Sequence, residues 1–386
     1  MIEATENEKD LGLKLKMMRL LWSLGYDVRK NVGLQELWYD NKTRYTDIDV
    51  LGFKMDQELV PHFVLCDCKS GATEETRQRL FWLSGVMKYF GVQRAYFVRA
   101  KMMSSKYFAL ADTLGISLIS EEQLANLEKA YSVRDAVFGP FSSEHATADQ
   151  ILRLLKKVPR AYEYVQNGYW EEPPQKQIVS IISCFRGLND IPDLKPEEAL
   201  FLQSYLLSFL AFSILRFSQQ TLVISPIERN DFIKLALLGG KIEYEEKKVL
   251  MGGFYAFMTS EIEQRYHARF PVSSTQFRDG LVPDFAKYLV DMVNRICERP
   301  TIYFGSHRIL SLLAFDSILS KKQTLEEFLK IGLPDINTSE LLFAASDFVV
   351  FIERSNLVKK ETAKFLEEKI LKLSESKKVV EKQSTL

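Results

Sequence analysis

Electrostatic bias is missing from this chain. Lys plus Arg equal Asp plus Glu at 51 each over 386 residues, and residues 1–130 balance as well. That excludes the uniformly basic domain expected of a general nucleic-acid binder, while leaving room for a local basic groove. Cysteine is scarce: Cys66, Cys68, Cys184 and Cys297 are the only ones. No CxxC occurs and the histidines (His62, His145, His267, His307) are scattered, which argues against a disulfide framework or a structural zinc site. The acidic start Met1-Ile2-Glu3-Ala4-Thr5-Glu6 has no apolar stretch behind it, so no secretory signal is expected. The most apolar run, Leu200 to Phe217, is interrupted by Gln203, Ser204, Ser208, Ser213 and Arg216. It reads as a buried helix rather than a membrane span. A cytoplasmic protein with no membrane partner and reduced thiols is the expectation. There is no repeat of fixed period. Gly239-Gly240-Lys241 is not a phosphate-binding loop, because Ile242 stands where Ser or Thr is needed.

What is present divides into two textures. The length allows two domains. Residues 8–24 carry Leu13, Met17, Leu20, Leu21 and Leu24 at helical spacing, and Gly25 offers a stop. A short strand over 26–32 and a turn or hairpin over 33–42 follow. Two strands come next, then a helix over 73–89 with Glu74 and Glu75 in its first turn. A strand at 94–99, a helix over 104–114, a strand at 116–119 and a helix capped by Ser120-Glu121-Glu122-Gln123 complete the unit. The order α, β, β, β, α, β, α, β, α predicts an α/β domain over 1–130 with a mixed central sheet. Residues 131–147 read as a linker. From 148 to 386 helical spacing dominates, which predicts an all-α domain for substrate selection, partner binding or oligomerisation. Its helices are expected at 148–166, 175–187, 196–217, 226–239, 243–267, 282–298, 302–320, 323–331, 338–354 and 357–379. Arg265, His267 and Arg269, interleaved with Tyr266 and Phe270, read as an ordinary amphipathic helix end in preference to a nucleic-acid contact.

The chemistry concentrates in the two strands Thr46-Asp47-Ile48-Asp49-Val50-Leu51-Gly52 and Val64-Leu65-Cys66-Asp67-Cys68-Lys69-Ser70-Gly71. Side chains alternate along a strand, so Phe63, Leu65, Asp67 and Lys69 share one face. Val64, Cys66 and Cys68 share the other, where the two cysteines read as core. Ile48 and Val50 likewise point away from Asp47 and Asp49. If the strands are neighbours, Asp49, Asp67 and Lys69 meet. Two carboxylates suit Mg²⁺ or Mn²⁺, whose remaining positions take water and substrate phosphate. A lysine beside them can meet charge developing on phosphate. Asp47 is either a solvent-facing strand residue or an acid standing behind the ligands. Arg77 and Gln78, on the next helix, read as its solvated face.

These strands in this order, with the leading helix ending in Leu24-Gly25-Tyr26, the strand Tyr96-Phe97-Val98 and the run Leu110-Ala111-Asp112-Thr113-Leu114-Gly115-Ile116-Ser117-Leu118-Ile119, resemble the PD-(D/E)xK, or restriction-endonuclease-like, nuclease superfamily. The likeness is to its Mrr-like branch, over residues 8–130. The resemblance implies a restriction-endonuclease-like fold and a metal-dependent endonuclease acting on nucleic acid, DNA ahead of RNA, as in prokaryotic antiviral defence. It implies Asp49 and Asp67 as metal ligands and Asp49, Asp67 and Lys69 as catalytic residues, with Mg²⁺ or Mn²⁺ as cofactor. Two departures stand out. Asp67 occupies a position where Glu is more usual, and Leu11–Leu24 contains no acid, so the leading helix offers only Glu8 and Asp10. The alternative is a binding or scaffold protein that keeps the nuclease fold without its chemistry. A homo-oligomer or a protein partner held by the helical region is compatible with both.

Overall fold

The computed structural model describes residues 6–35, 44–71, 76–131, 133, 152–189, 191, 194–267, 273, 280–319 and 338–371. Helix α1 (Glu6–Ser23) ends at Gly25, whose φ of +92° is a conformation that L side chains rarely adopt. Strands β1 (Asp27–Gln35), β2 (Arg44–Met55) and β3 (Pro61–Lys69) follow, then α2 (Thr76–Phe90), β4 (Ala95–Arg99), α3 (Ser105–Thr113), β5 (Ile116–Ser120) and α4 (Glu121–Ala130). This is the predicted order, and the sheet runs β1-β2-β3-β4-β5. The first three strands are antiparallel, whereas β4 joins β3 and β5 joins β4 in parallel. The parallel pairings follow from the connections: α2 and α3 each return the chain to the same end of the sheet. At the last turn the cap is as read from the sequence. Ser120 Oγ accepts from the Gln123 amide and the Gln123 side chain accepts from the Ser120 amide.

Beyond residue 152 the described elements are helical: α5 (Pro159–Gln166), a 3₁₀ turn (Gly168–Trp170), α6 (Pro174–Leu188), α7 (Pro196–Thr221), α8 (Pro226–Leu237), α9 (Lys241–Tyr266), α10 (Ala286–Glu298), α11 (Pro300–Tyr303), α12 (Ser306–Leu319) and α13 (Thr338–Arg354). A further helical stretch covers 360–371. Helix α7 is long and apolar enough to cross a membrane, yet most of its apolar stretch is buried by the protein itself. Glu74, Glu75, most of the expected linker, the expected helix at 323–331, Arg269 and Phe270 lie outside the described residues.

Both faces of the sheet are covered. On one face α1 lies so close that a Cβ at Gly52 would stand 3.0 Å from Leu21 Cδ1, so a larger residue at this position of β2 would push on that side chain. On the other face the Phe53 ring packs edge-on against Trp170 and Phe212, and Phe63 packs against Phe90 and Phe212. Elements before and after residues 131–147 therefore contribute to one continuous apolar core. Each fully buried ring of this kind contributes roughly 1.5–3 kcal/mol. The sheet of the mixed α/β half thus lies between its leading helix and the helical half.

Candidate metal and phosphate site

The site forms where β2 parts from β3. In the β2–β3 ladder the last pair is Val50↔Cys66. Continuing that register one step would set Asp49 opposite Asp67, so the two acids belong to one position across the strands. On the other side the β1–β2 ladder runs through Lys30↔Val50 and Val32↔Ile48 but skips the intervening pair. There Asn31 adopts φ +55°, which asparagine tolerates better than most residues. Asp49 therefore has no ladder partner on either side. Its carboxylate turns into the gap, where Oδ2 accepts from the Cys68 amide at 2.8 Å.

Charges from three elements converge on this gap. Lys14 of α1 reaches Asp49 Oδ1 at 2.7 Å and also donates to Asn31 Oδ1 at 2.8 Å. Lys69 stands 3.4 Å from Asp49 Oδ2 and 3.8 Å from Asp67 Oδ1. Arg79 of α2 holds both oxygens of Asp67, Nε to Oδ2 at 2.7 Å and Nη2 to Oδ1 at 2.8 Å, while its guanidinium lies 3.8 Å from the Trp82 ring centroid. Asp10 completes the group: its Oδ1 accepts from the Ser70 amide at 2.6 Å, just past Lys69. Asp49 and Asp67 are only 6 % and 2 % exposed, whereas the three cations are partly exposed and form the rim.

The electrostatics follow from this layering. Burial alone would raise the Asp49 carboxyl, but Lys14, Lys69 and the Cys68 amide outweigh it and hold that carboxyl below its ordinary range. Asp67 goes the other way: burial raises it, and the nearby Asp49 charge adds to the rise against the pull of Arg79. Burial tends to lower the Lys69 ammonium, but Asp49 and Asp67 raise it above the usual lysine value, so it stays charged at neutral pH. Cys66 and Cys68 are buried, and burial with the adjacent carboxylates pushes both thiols well up. They are core, not nucleophiles.

The fold brings Asp49, Asp67 and Lys69 together. Asp47 sits one strand repeat away and is exposed. The sequence reading missed Lys14 and Arg79. The one signal for Lys14 was its place four residues after Asp10, on the same helix side; Arg79 gave none beyond its nearness to Trp82. Among the described residues no group of three or more His, Cys, Asp and Glu side chains is arranged to hold a metal. Two carboxylates gathered around one lysine still suit a Mg²⁺-type ion that keeps several waters. The fit carries a condition: both Asp67 oxygens are engaged by Arg79, so a metal must share them with that guanidinium or displace it.

No family model matches the chain, and no curated protein matches it. A crystal structure of AF1548, a protein of unknown function, aligns with 53 % of this chain and 96 % of its own at 16 % identity, with a TM-score of 0.25. A likeness at that level bears on neither fold nor function.

Proposed function

We propose that the protein is a metal-dependent phosphodiester hydrolase with a restriction-endonuclease-like N-terminal half, acting on nucleic acid, with DNA ahead of RNA. The observation that carries this reading is the gap in β2, where two buried carboxylates share one charged lysine at the end of the β2–β3 ladder and a gap in the β1–β2 ladder. Asp49 and Asp67 would hold Mg²⁺ or Mn²⁺. Bound there, such an ion polarises the phosphate and lowers the pKa of a water. Lys69 supplies a fixed positive charge for the phosphate oxygens. Lys14 orients Asp49, and Asp10 fixes the backbone at the end of β3 through Ser70. Arg79 has two roles in sequence. In the free protein it neutralises Asp67; on substrate binding a phosphate offers its guanidinium an equally good two-pronged partner. The exchange would free Asp67 for the metal as substrate arrives.

A second reading is favoured by one observation, the charge count of the cluster. Lys14, Lys69 and Arg79 match Asp10, Asp49 and Asp67 in number, so the acids are already compensated without any metal. Such a site can bind a phosphate backbone without cutting it.

Incubation with plasmid, linear duplex and single-stranded substrates, with Mg²⁺, Mn²⁺ or EDTA, separates the two. The hydrolase reading expects cleavage that EDTA abolishes and that Asp67→Asn does not support. A readout apart from activity is the melting temperature with and without Mn²⁺. Arg79→Leu frees the Asp67 oxygens and should enlarge the Mn²⁺-dependent rise. If neither wild type nor this variant responds to metal, the scaffold reading stands.

A further inference from the structure

Beside the acids, on the same side of β2, runs a groove of about 520 Å³ lined by Leu34, Tyr45, Thr46, Phe81, Trp82, Gly85, Val86 and Tyr89. Tyr45, Phe81 and Tyr89 are 55 %, 55 % and 58 % exposed, an unusual density of open aromatic surface for one short stretch. Tyr45 and Tyr89 meet edge to face with centroids 6.4 Å apart, and the Tyr89 hydroxyl donates to Glu171 at 3.0 Å. The rings are therefore held in place rather than loosely displayed.

Three features say what this groove is for. Its floor is glycine. Phe81, Gly85 and Tyr89 form one row along α2 at four-residue spacing, so Gly85 opens a gap of roughly 12 Å along the helix between two aromatic rings. A Cβ at Gly85 would meet nothing within 4 Å, so close packing does not explain the glycine. It costs about 1 kcal/mol relative to alanine in a helix interior, and open space is what it provides. Second, the helix that forms one wall carries charge of one sign. Helix α2 over Thr76–Phe90 carries Arg77, Arg79 and Lys88 and no acid, although the whole chain is neutral. Third, the groove is continuous with the acid site. Trp82 stacks beneath the Arg79 that clamps Asp67, and Tyr45 lies four residues before Asp49 on β2, roughly 13 Å along the strand.

We infer that this groove takes the unpaired bases of a single-stranded nucleic acid and leads its backbone to the acid site, so that the substrate is single-stranded or locally melted. The inference rests on the reading of Asp49, Asp67 and Lys69 as a phosphodiester site. Aromatic rings can stack only on base faces that are not already stacked in a duplex, and every base has such a face. Arg77, Arg79 and Lys88 then track the phosphates. Base-edge hydrogen-bond donors and acceptors are sparse in this lining, so binding should be tolerant of sequence.

The test is fluorescence anisotropy of the full chain in EDTA, where nothing can be cut, with labelled oligothymidylate, oligouridylate and a mixed-sequence duplex. Wild type should bind at least one single strand more tightly than the duplex. Tyr45→Ala and Phe81→Ala should each weaken that binding roughly 5- to 150-fold, and Gly85→Leu, which fills the gap, should do the same. Circular dichroism and a thermal melt establish that each variant is folded, and the half-exposed Tyr45 provides an independent arm should a helix variant fail. The inference is overturned if duplex binds as well as single strands or if all three folded variants bind like wild type. It is equally overturned if Phe81→Ala abolishes a dimer seen by gel filtration while leaving nucleic-acid affinity intact, since the groove is then a protein interface. Addition of Mg²⁺ or Mn²⁺ separates this result from the hydrolase reading. Tight single-strand binding without cleavage retires the catalysis and keeps the groove; cleavage of duplex by groove variants at the wild-type rate retires the groove and keeps the catalysis.

Discussion

Two charged clusters sit on the same three strands, and they differ in what surrounds them. Asp27 and Arg29 on β1 show the same alternate-residue polarity as Asp67 and Lys69 on β3. Yet Asp27 is fully buried and Arg29 nearly so. Arg29 donates to Asp27 at 2.7 Å, to the Val28 carbonyl at 2.8 Å and to Ser208 at 3.3 Å. Its guanidinium lies 4.6–5.4 Å from the ring centroids of Phe209, Tyr205 and Phe53, and Ser311 donates to Asp27 from α12 at 3.3 Å. This cluster is sealed between the sheet and the helices. At Asp49 the acids are buried too, but their cations are partly exposed and an open aromatic groove lies alongside. The difference is one of access: the partner charges of one cluster reach solvent, and that of the other does not. A cluster closed on every side is a fastener.

The sharpest way to break the comparison is to remove one partner from each cluster. Arg29→Leu leaves Asp27 enclosed without its guanidinium, and removing one member of a buried ion pair costs about 3–5 kcal/mol. Urea unfolding should show a loss of that order. Lys14→Ala leaves Asp49 with Lys69 and the Cys68 amide and should cost markedly less. Equal losses would mean that the Asp49 cluster is also structural.

Next in size, under the hydrolase proposal, is the effect on chemistry. Lys69→Ala should lower cleavage about 10²–10³-fold, the usual consequence of deleting one electrostatic contact to the transition state, with a melting temperature close to wild type. Asp67→Ala and Asp49→Ala should lower cleavage at least as far and also abolish the Mn²⁺-dependent rise in melting temperature. Arg29→Leu, assayed below its melting temperature, should retain cleavage. Robust cutting by the Asp49→Ala, Asp67→Ala double variant would place the chemistry elsewhere.

Why one cluster was foreseen and the other was not is a matter of range. Strand order and strand residues were legible because alternation and glycine stops are local signals. Gly91 and Gly115 take φ of +69° and +71° where the helices were expected to end, and the Ser120 cap depends on neighbours three residues away. The meeting of Asp49, Asp67 and Lys69 followed from strand parity once the strands were neighbours. The cations were out of reach. Lys14 meets Asp49 from the leading helix, and Arg79 meets Asp67 from the helix after its strand. On a helix each looks like any solvated charge. The groove was invisible for the same reason, since Tyr45 and Tyr89 come together only through the fold. The sealing of Asp27 and Arg29 by α7 and α12 depends on packing between elements nearly 180 and 284 residues apart in sequence.

A smaller effect tests the sealed region by pH. His307 of α12 is buried against Phe53 and Phe212, and its Nδ1 faces the Phe304 carbonyl at 3.1 Å. Burial lowers its pKa to about 3, with the neighbouring Arg308 charge adding to the fall. The folded value lies below the unfolded one near 6.5, so the unfolded chain takes up the proton first. Stability from this group is complete above about pH 6.5 and declines, by up to about 1.4 kcal/mol per pH unit, as pH falls toward 3. Denaturant melts at a series of pH values should show this slope, reduced by about one proton in His307→Gln. An unchanged slope in that variant would mean that the ring is already protonated, or solvated, in the folded protein.

The smallest effect is expected at Asp47, and it sharpens the boundary of the open cluster. Asp47 is exposed and lies two residues before Asp49, roughly 6.6 Å along the same side of β2. It borders the path from the groove residue Tyr45 to the buried acids. At that spacing and in contact with water its charge is screened, and its influence on Asp49 is worth less than about 1 kcal/mol. Asp47→Ala should therefore change cleavage by no more than about fivefold and leave Mn²⁺ binding intact. The direction is informative as well. Removing a negative charge beside an incoming phosphate backbone should strengthen substrate binding slightly at low salt, and the difference should fade as salt is raised, since Debye screening shortens its reach. Titrations of wild type and Asp47→Ala at two salt concentrations decide the matter. A hundredfold loss of cleavage together with weakened Mn²⁺ binding would instead make Asp47 a ligand, and would extend the site along β2 from a pair of acids to three.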